Sequence, residues 1–316
     1  MPLDPLLEPL VAAAPQLPEE IEDFDAYRAW EEAGGTGMSD FLEPAPKGVS
    51  RREVEIPVRD GSILLHIFTP ATPGPHPAHL YLHGGGWIGG SIHSKYTQVL
   101  CSERAALADC VVVTAAYRKA PEYKFPIPID DSYAALCWID AHAKELGIRR
   151  EVISIGGGSA GANLAAGVAL KSRDESGPRP VLQILEVPAL DLTLSTPSHE
   201  RNGTGYGLTT KYLDTCIRYY INNPEDVRHP YVSPLLAPDL RELPPAYILP
   251  AEFDPLCDDG QAYARRLAAA GVPATNSLQR GQFHGSPALT KLLPAARAWR
   301  DEVIEVLRKT HAAQTP

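Results

Sequence analysis

The sequence lacks the features that mark membrane, secreted and zinc-binding proteins. None of its 316 residues lies in a run approaching the roughly 18 consecutive apolar residues of a membrane-spanning helix. Met1 to Asp4 contains no basic residue of the kind that begins a secretory signal. The five cysteines are scattered and form no CxxC pair, which favours reduced thiols over a disulfide framework or a zinc site. We therefore expect a cytoplasmic protein with no metal ion and no segment inserted in a membrane.

Positive charge is also scarce. The formal net charge is −10, and no segment concentrates lysine and arginine. Proteins hold nucleic acids and anionic lipids largely by neutralising phosphates with such residues. The sequence therefore predicts neither nucleic acid nor a lipid surface as a partner, and it leaves a homodimer open.

The chain does contain a periodic pattern that changes near residue 49. Over residues 1–48, apolar residues recur at helical spacing in 6–14 and 24–33, which predicts a helical N-terminal arm. Residues 49–316 begin with an alternation of apolar and polar residues over 54–68, which is typical of a β-hairpin. After it, predicted apolar strands alternate with predicted helices. The further predicted strands are 78–82, 111–116, 151–155, 181–187, 246–250 and 274–279, and the predicted helices are 95–108, 130–146, 159–171, 258–271 and 287–308.

Several of these strands are apolar at every position, such as Val111-Val112-Val113. Such runs are typical of strands covered on both faces, as in parallel sheets with crossover helices. We expect an α/β fold with a mostly parallel, eight-stranded sheet flanked by helices. The alternation breaks over 191–244, where a long insertion contains a helical segment at 210–222, and such insertions at the carboxyl ends of strands commonly form lids.

Ser159 lies at the centre of a GxSxG motif, between an apolar strand and a helix. Glycines at 157 and 161 remove the Cβ atoms that would collide with neighbouring backbone on so sharp a turn. Alone, the motif is weak evidence, because a glycine-rich turn of this kind also binds phosphates or simply packs tightly.

A second glycine-rich segment, His83-Gly84-Gly85-Gly86-Trp87, directly follows another predicted strand. Consecutive glycines bring backbone N–H groups close to a ligand, as stabilisation of an oxyanion requires. We expect Gly85, Gly86 and Ala160, the residue after the serine, to donate such N–H groups, with His83 bracing the loop.

With these motifs the chain resembles the hormone-sensitive-lipase-like branch of the α/β-hydrolases, also called family IV. The motifs that carry the resemblance follow the family's order: HGGGW at 83–87, YRKAPE at 117–122, GGSAGANLA at 157–165, DPLCDDG at 254–260 and FHG at 283–285. The resemblance implies an α/β-hydrolase fold, a helical cap formed by the N-terminal arm and the 191–244 insertion, and a serine carboxylesterase without a cofactor.

Carried over by motif, Ser159 matches the nucleophile, Asp254 the acid and His284 the base. The chemistry requires such a set, because a neutral hydroxyl needs an imidazole to take its proton and a carboxylate to fix the tautomer of that imidazole. Three acidic residues compete with Asp254 for its role: Glu252, Asp258 and Asp259. We expect structural roles for these three.

Two positions depart from the family pattern: Gly158, where an acid is common before the nucleophile, and Ala162, where glycine is frequent. Glu186, at the end of a predicted apolar strand, is either hydrogen-bonded near the site or turned to solvent. One hypothesis is that its carboxylate anchors the 156–162 turn in place of a side chain at 158.

For the substrate we expect a small-molecule ester with a short or medium acyl chain, in a pocket to which Trp87, Tyr206 and Tyr212 contribute. Two alternatives use the same fold. One is a deacetylase or amidase acting on a small natural product with the same triad, and the other is a small-molecule-binding protein without catalysis.

Overall fold

A computed structural model describes residues 2–14, 17–34 and 37–314. The strands within these residues are β1 (Ser50–Val58), β2 (Gly61–Thr69), β3 (His76–Leu82), β4 (Val111–Ala115), β5 (Ile148–Gly158), β6 (Gln183–Glu186), β7 (Ala246–Leu249), β8 (Ala251–Phe253), β9 (Ala274–Asn276) and β10 (Gln279–Phe283). The α-helices are α1 (Glu8–Ala13), α2 (Phe24–Glu32), α3 (Lys95–Ala108), α4 (Ile127–Ala141), α5 (Ala143–Leu146), α6 (Ala160–Asp174), α7 (Ser198–Arg201), α8 (Thr210–Tyr220), α9 (Cys257–Ala269) and α10 (Pro294–Ala313). None of the described helices is long and apolar enough to cross a membrane.

Eight of the strands form one sheet in the order β1-β2-β4-β3-β5-β6-β7-β9. The hairpin strands β1 and β2 pair antiparallel, β2 also runs antiparallel to β4, and all later neighbours are parallel. The prediction of a mostly parallel, eight-stranded sheet is confirmed.

Helices cover both faces of the sheet. Val112 belongs to a core cluster that also holds Leu100 of α3 and Trp299 of α10. Its neighbours Val111 and Val113 point to the opposite face and belong to the cluster that holds residues of α4, α6 and α9. Because each face of the strand is buried, every residue of β4 is apolar or threonine.

Some predicted boundaries need correction. The predicted strand 274–279 is divided between β9 and the start of β10, and β10 leaves the main sheet to pair in parallel with β8. The predicted helix 287–308 begins only at Pro294, because proline fits the first turn of a helix, where its missing N–H costs nothing. The predicted helix 130–146 begins at Ile127 and is interrupted at His142.

The N-terminal segment (residues 2–48, without the undescribed positions) packs against the connecting segment (191–244). The ring of Phe24 in α2 meets Tyr219 of α8 edge-on at 4.9 Å. The hydroxyls of Tyr27 and Tyr212 share a short hydrogen bond, and Thr215 donates to the Glu19 carbonyl oxygen at 2.7 Å. Two segments far apart in sequence therefore form one helical layer.

A buried histidine network lies between β3, β5 and α10. His79 Nδ1 and His311 Nε2 lie 2.9 and 3.0 Å from the hydroxyl oxygen of Ser154, which itself donates to the Ala78 carbonyl oxygen. Arg104 donates to His79 Nε2 at 3.3 Å, so the neutral His79 carries its proton on Nδ1. Burial lowers the pKa of His79 well below its usual value, and Arg104 and His311 add to the effect. Burial likewise lowers the pKa of His311 to about 4.

We predict that this network makes the fold sensitive to acid. A histidine whose pKa is depressed in the folded state stabilises the fold above its unfolded-state pKa, and that contribution is lost as the pH falls below it. Between about pH 7.5 and about pH 5.5, His311→Gln should lose about 1 kcal/mol less free energy of unfolding than wild type. Urea unfolding measures this difference. The exposed His93→Gln serves as the control, and equal losses in His311→Gln and wild type would contradict the prediction.

Candidate active site

Ser159 occupies the one-residue turn between β5 and α6. Its backbone has φ 57° and ψ −121°, a conformation that costs a non-glycine residue on the order of 1–3 kcal/mol. The N–H of Ser159 donates to the carbonyl oxygen of Glu186 at 2.9 Å, which ties the turn to the end of β6. A Cβ on Gly161 would overlap the carbonyl oxygen of Leu82, and one on Gly157 would overlap the backbone of Gly161. The two glycines therefore permit the close approach that the turn requires.

Asp254 and His284 meet because the strands before them are paired. Phe253 of β8 lies opposite Phe283 of β10 in parallel register, so the next residue of each chain emerges at the same edge. His284 Nδ1 lies 2.7 Å from Asp254 Oδ2, and Asp254 is fully buried. The other oxygen of this carboxylate accepts from the N–H of Leu256 at 2.9 Å.

The second nitrogen of His284 reaches the serine. His284 Nε2 lies 3.0 Å from Ser159 Oγ. Since a carboxylate only accepts, Nδ1 carries the proton, and Nε2 is left to accept from the serine hydroxyl. The structure thus brings the three predicted residues into one hydrogen-bonded line.

The three acidic residues that compete with Asp254 have other partners. Glu252 accepts from the N–H of Gly281 at 2.7 Å, and Asp258 pairs with Arg201 at 3.0 Å. Asp259 is fully buried and accepts from the N–H groups of Leu190 and Asp191 and from the hydroxyl of Thr196. Each of these contacts joins structural elements outside the serine turn.

The glycine loop after β3 lies beside the serine. Gly85 and Gly86 have φ of 117° and 59°, which L residues with side chains rarely adopt. The carbonyl oxygen of Gly85 accepts from the N–H groups of Ile88 and Gly89, which closes a tight turn. No residue in the described ranges accepts a hydrogen bond from the N–H of Gly85, Gly86 or Ala160. These three donors are therefore available to a ligand.

His83 braces this loop, as expected. Its Nδ1–H donates to the carbonyl oxygen of Gly84 at 2.8 Å, and its ring stacks on Tyr117 at 4.4 Å. Burial lowers the pKa of His83 to about 3, and the charge of Lys119 adds to the effect. His83 is accordingly neutral at physiological pH.

Helix α2 also holds the glycine loop. Glu31 accepts from the N–H of Gly90 at 2.8 Å and from the hydroxyl of Tyr27 at 2.9 Å. Arg28 donates to the carbonyl oxygen of Ile88 at 2.8 Å. Burial raises the pKa of Glu31, while the N–H of Gly90 and the hydroxyl of Tyr27 oppose that rise. This contact was not predictable from the sequence, because Glu31 lies far from the loop in the chain and belongs to no motif.

A cavity of about 340 Å³ opens onto Ser159 and His284. Its walls include the glycine loop, parts of the N-terminal segment and parts of the connecting segment, with Tyr212 among them. Tyr81, Tyr96 and Glu31 line it as well and were not predicted.

Two of the aromatic residues predicted for the pocket lie elsewhere. Trp87 is buried, stacks on Tyr220 at 4.7 Å and donates to Asn163 Oδ1 at 3.1 Å, because its backbone turns the indole into the core. Tyr206 packs on Phe253 at 5.0 Å, outside the cavity wall. We therefore correct the pocket assignment for both and assign them to packing.

The structure separates two functions of Glu186. Its backbone carbonyl oxygen holds the serine turn, whereas its carboxylate forms a buried ion pair with Arg104. The hypothesis that the side chain anchors the 156–162 turn is therefore replaced by anchoring through the backbone.

One group of described residues combines metal-ligand types away from the serine: Glu53, His66 and His93. Gln98 Oε1 accepts from Arg51 at 2.7 Å, which turns the amide nitrogen of Gln98 toward His66 Nδ1 at 2.9 Å. His66 therefore carries its proton on Nε2, which faces Glu53 at 3.0 Å. That protonation opposes ligation of a metal through Nε2.

Comparison with known proteins gives concordant matches. A family model described as alpha/beta hydrolase fold matches residues 79–288. The arylesterase of Saccharolobus solfataricus is 34% identical over 295 residues, covering 91% of this chain and 94% of that protein. The carboxylic ester hydrolase LipN of Mycobacterium tuberculosis is 37% identical over 272 residues, covering 84% and 72%. The structure of the hyperthermophilic esterase from Pyrobaculum calidifontis has a TM-score of 0.91 and 33% identity, covering 98% of this chain and 99% of that one.

We predict that two alanine substitutions in the serine turn differ in their effect on stability and activity. Gly161→Ala should lower the free energy of unfolding by about 1–3 kcal/mol and disable the site, because its Cβ overlaps the Leu82 carbonyl. Gly158→Ala should be tolerated, since its Cβ would only touch the Tyr81 hydroxyl at 3.4 Å. Thermal unfolding and hydrolysis of a p-nitrophenyl ester measure both effects. Equal damage from the two substitutions would refute this account.

We also predict that Glu31→Ala lowers kcat/KM for such an ester at least about tenfold, because a displaced donor weakens an oxyanion site. The matched control is Glu32→Ala, which removes the neighbouring, exposed carboxylate of the same helix. Steady-state kinetics of both variants test the contact with Gly90, and a loss of the same size in both would argue against it.

Proposed function

The chain belongs to the α/β-hydrolases, in their hormone-sensitive-lipase-like branch, and we propose that it is a serine carboxylesterase acting on short- and medium-chain acyl esters through an acyl-enzyme. The observation that carries the proposal is the continuous contact from Ser159 Oγ through His284 to Asp254, at 3.0 and 2.7 Å, on the wall of a cavity.

In the first half of the proposed reaction, Ser159 Oγ attacks the ester carbonyl while His284 Nε2 takes its proton. The carbonyl oxygen becomes an anion, which accepts from the N–H groups of Gly85, Gly86 and Ala160. His284 then gives the proton to the leaving alcohol, and the acyl group remains on Ser159.

In the second half, water repeats the attack on the acyl-enzyme with His284 again as base, and the acid leaves. Asp254 stabilises the imidazolium that forms in each half and keeps the imidazole in the tautomer that accepts at Nε2. Its complete burial strengthens this interaction, because no water competes for the carboxylate.

The cavity supports a small substrate. Its volume of about 340 Å³ is near the lower end of the roughly 300–1,000 Å³ of ligand pockets. Residues of the N-terminal segment (Leu17, Met38) and of the connecting segment (Leu208, Leu213) line it. We propose that these two segments form a cap that shapes the space for the acyl and alcohol groups.

Two other expectations from the sequence stay proposals. The cysteine pattern supports a cytoplasmic location, and a homodimer is compatible with the chain. Neither bears on the proposed chemistry, which needs a single set of Ser159, His284 and Asp254.

We predict that a fluorophosphonate probe labels the wild-type protein and that Ser159→Ala is not labelled. The same substitution should lower kcat for p-nitrophenyl acetate by a factor on the order of 10⁶, as loss of a triad serine does elsewhere. Ser91→Ala is the control, because Ser91 also lines the cavity but lies outside the triad.

Folded wild-type protein that resists the probe would instead support a binding protein without catalysis. Faster hydrolysis of amides than of matched esters would favour the deacetylase or amidase alternative. A series of p-nitrophenyl esters of increasing acyl length reports the depth of the cavity in the same assay.

A further inference from the structure

The cavity wall beside Ser159 is polar. Tyr81, Tyr96 and Glu186 line it together with Gly158 and the serine itself. Tyr81 is 1% exposed, and its hydroxyl lies 3.4 Å from the position that a Cβ on Gly158 would take. A buried hydroxyl group therefore points into the space next to the nucleophile.

The hydroxyl groups of both tyrosines lack partners. Arg104 lies over the ring of Tyr81 at 4.8 Å, but no described residue forms a hydrogen bond with Tyr81 Oη or Tyr96 Oη, and neither oxygen is among the fully buried atoms that lack a partner, so both are accessible to a ligand. Burial raises the pKa of Tyr81 well above its usual value, and the nearby Tyr96 and Glu186 add to the effect. Tyr81 therefore keeps its proton and can donate.

Glu186 contributes an acceptor to the same wall. Arg104 binds one carboxylate oxygen, Oε1, and the buried pair carries no net charge. Within the described ranges, the bond from Arg104 to Oε1 is the only hydrogen bond of this carboxylate, so the second oxygen, Oε2, stays open to a donor. Arg104 also donates to His79, which fixes the guanidinium. The ion pair with this guanidinium then fixes the Glu186 carboxylate.

These groups define the chemistry of a ligand. A group that satisfies a phenol donor and a carboxylate acceptor must itself accept and donate. An ammonium offers no acceptor, and a carboxylate offers no donor and would lie beside Glu186. A hydroxyl is the smallest neutral group that meets both requirements, and it matches a wall without net charge.

Gly158 keeps this wall open. A side chain at residue 158 would start 3.4 Å from Tyr81 Oη, and an acidic one, common in the family, would cover that hydroxyl. The absence of a side chain leaves Tyr81 Oη accessible from the cavity.

We propose that Tyr81, Tyr96 and Glu186 form a subsite that selects esters carrying a hydroxyl group on the acyl or the alcohol part. The proposal rests on the proposed esterase function, whose substrate class it narrows. A site built to bind a hydroxyl discriminates against the analogue with a methyl in its place, because its own polar groups are then left unpaired.

The test compares esters that differ only by a hydroxyl in place of a methyl. On the acyl side the pair is ethyl 3-hydroxypropanoate and ethyl butanoate, and on the alcohol side it is 2-hydroxyethyl acetate and propyl acetate. We expect kcat/KM of wild type to favour the hydroxylated ester about tenfold in one pair, the size of one or two hydrogen bonds.

Tyr81→Phe should reduce that ratio at least about threefold, because the phenol that binds the hydroxyl is lost. Tyr96→Phe should act in the same direction. Tyr206→Phe is the control, since Tyr206 lies outside the cavity wall. A ratio of kcat/KM values is independent of the fraction of folded enzyme, so a destabilised variant still gives a valid result.

Hydrolysis of all four esters with no preference in either pair would overturn the subsite and leave the esterase function standing. A preference that survives in both Tyr81→Phe and Tyr96→Phe would overturn it too. No hydrolysis of any ester by folded wild type would overturn the esterase function and the subsite together.

Discussion

The site depends on the parallel pairing of two short strands outside the main sheet. Because Phe253 of β8 and Phe283 of β10 lie in register, Asp254 and His284 begin their loops side by side. A carboxylate that is fully buried needs hydrogen-bond donors, and His284 and the N–H of Leu256 supply them. The direction of the imidazole, and hence its contact with Ser159, follows from this pairing.

The residues with chemical roles were predictable where a motif is local. Ser159 and the glycine loop each lie in a few consecutive residues in which glycines permit a tight turn. Asp254 and His284 were predictable through the family motifs at 254–260 and 283–285. The parallel part of the sheet was predictable because its central strands β3, β4 and β6 are buried at every position, and the hairpin because apolar and polar residues alternate in its strands. The strands β8 and β10 were not found, since Ala251–Phe253 and Gln279–Phe283 are short and mix polar with apolar residues.

The walls of the cavity were much harder to predict. Trp87 adjoins the glycine loop in sequence, yet the direction of its side chain depends on a backbone φ of 62° that composition does not reveal. Tyr81 lies in an apolar strand, where alternation indicates a face of the sheet but not whether the hydroxyl reaches the cavity. Glu31 contacts Gly90 only because α2 folds back over the loop, which depends on the packing of α2 against α8.

Arg104 joins the histidine network to the cavity wall. It donates to His79 on one side and binds Glu186 on the other. If His79 gains a proton, it can no longer accept from Arg104, and two cations then face each other in a region of low dielectric. The guanidinium would move away from His79, and Glu186 is its other partner. Protonation of His79 at low pH would thus act on the cavity wall through contacts in the protein interior, independent of the cavity entrance.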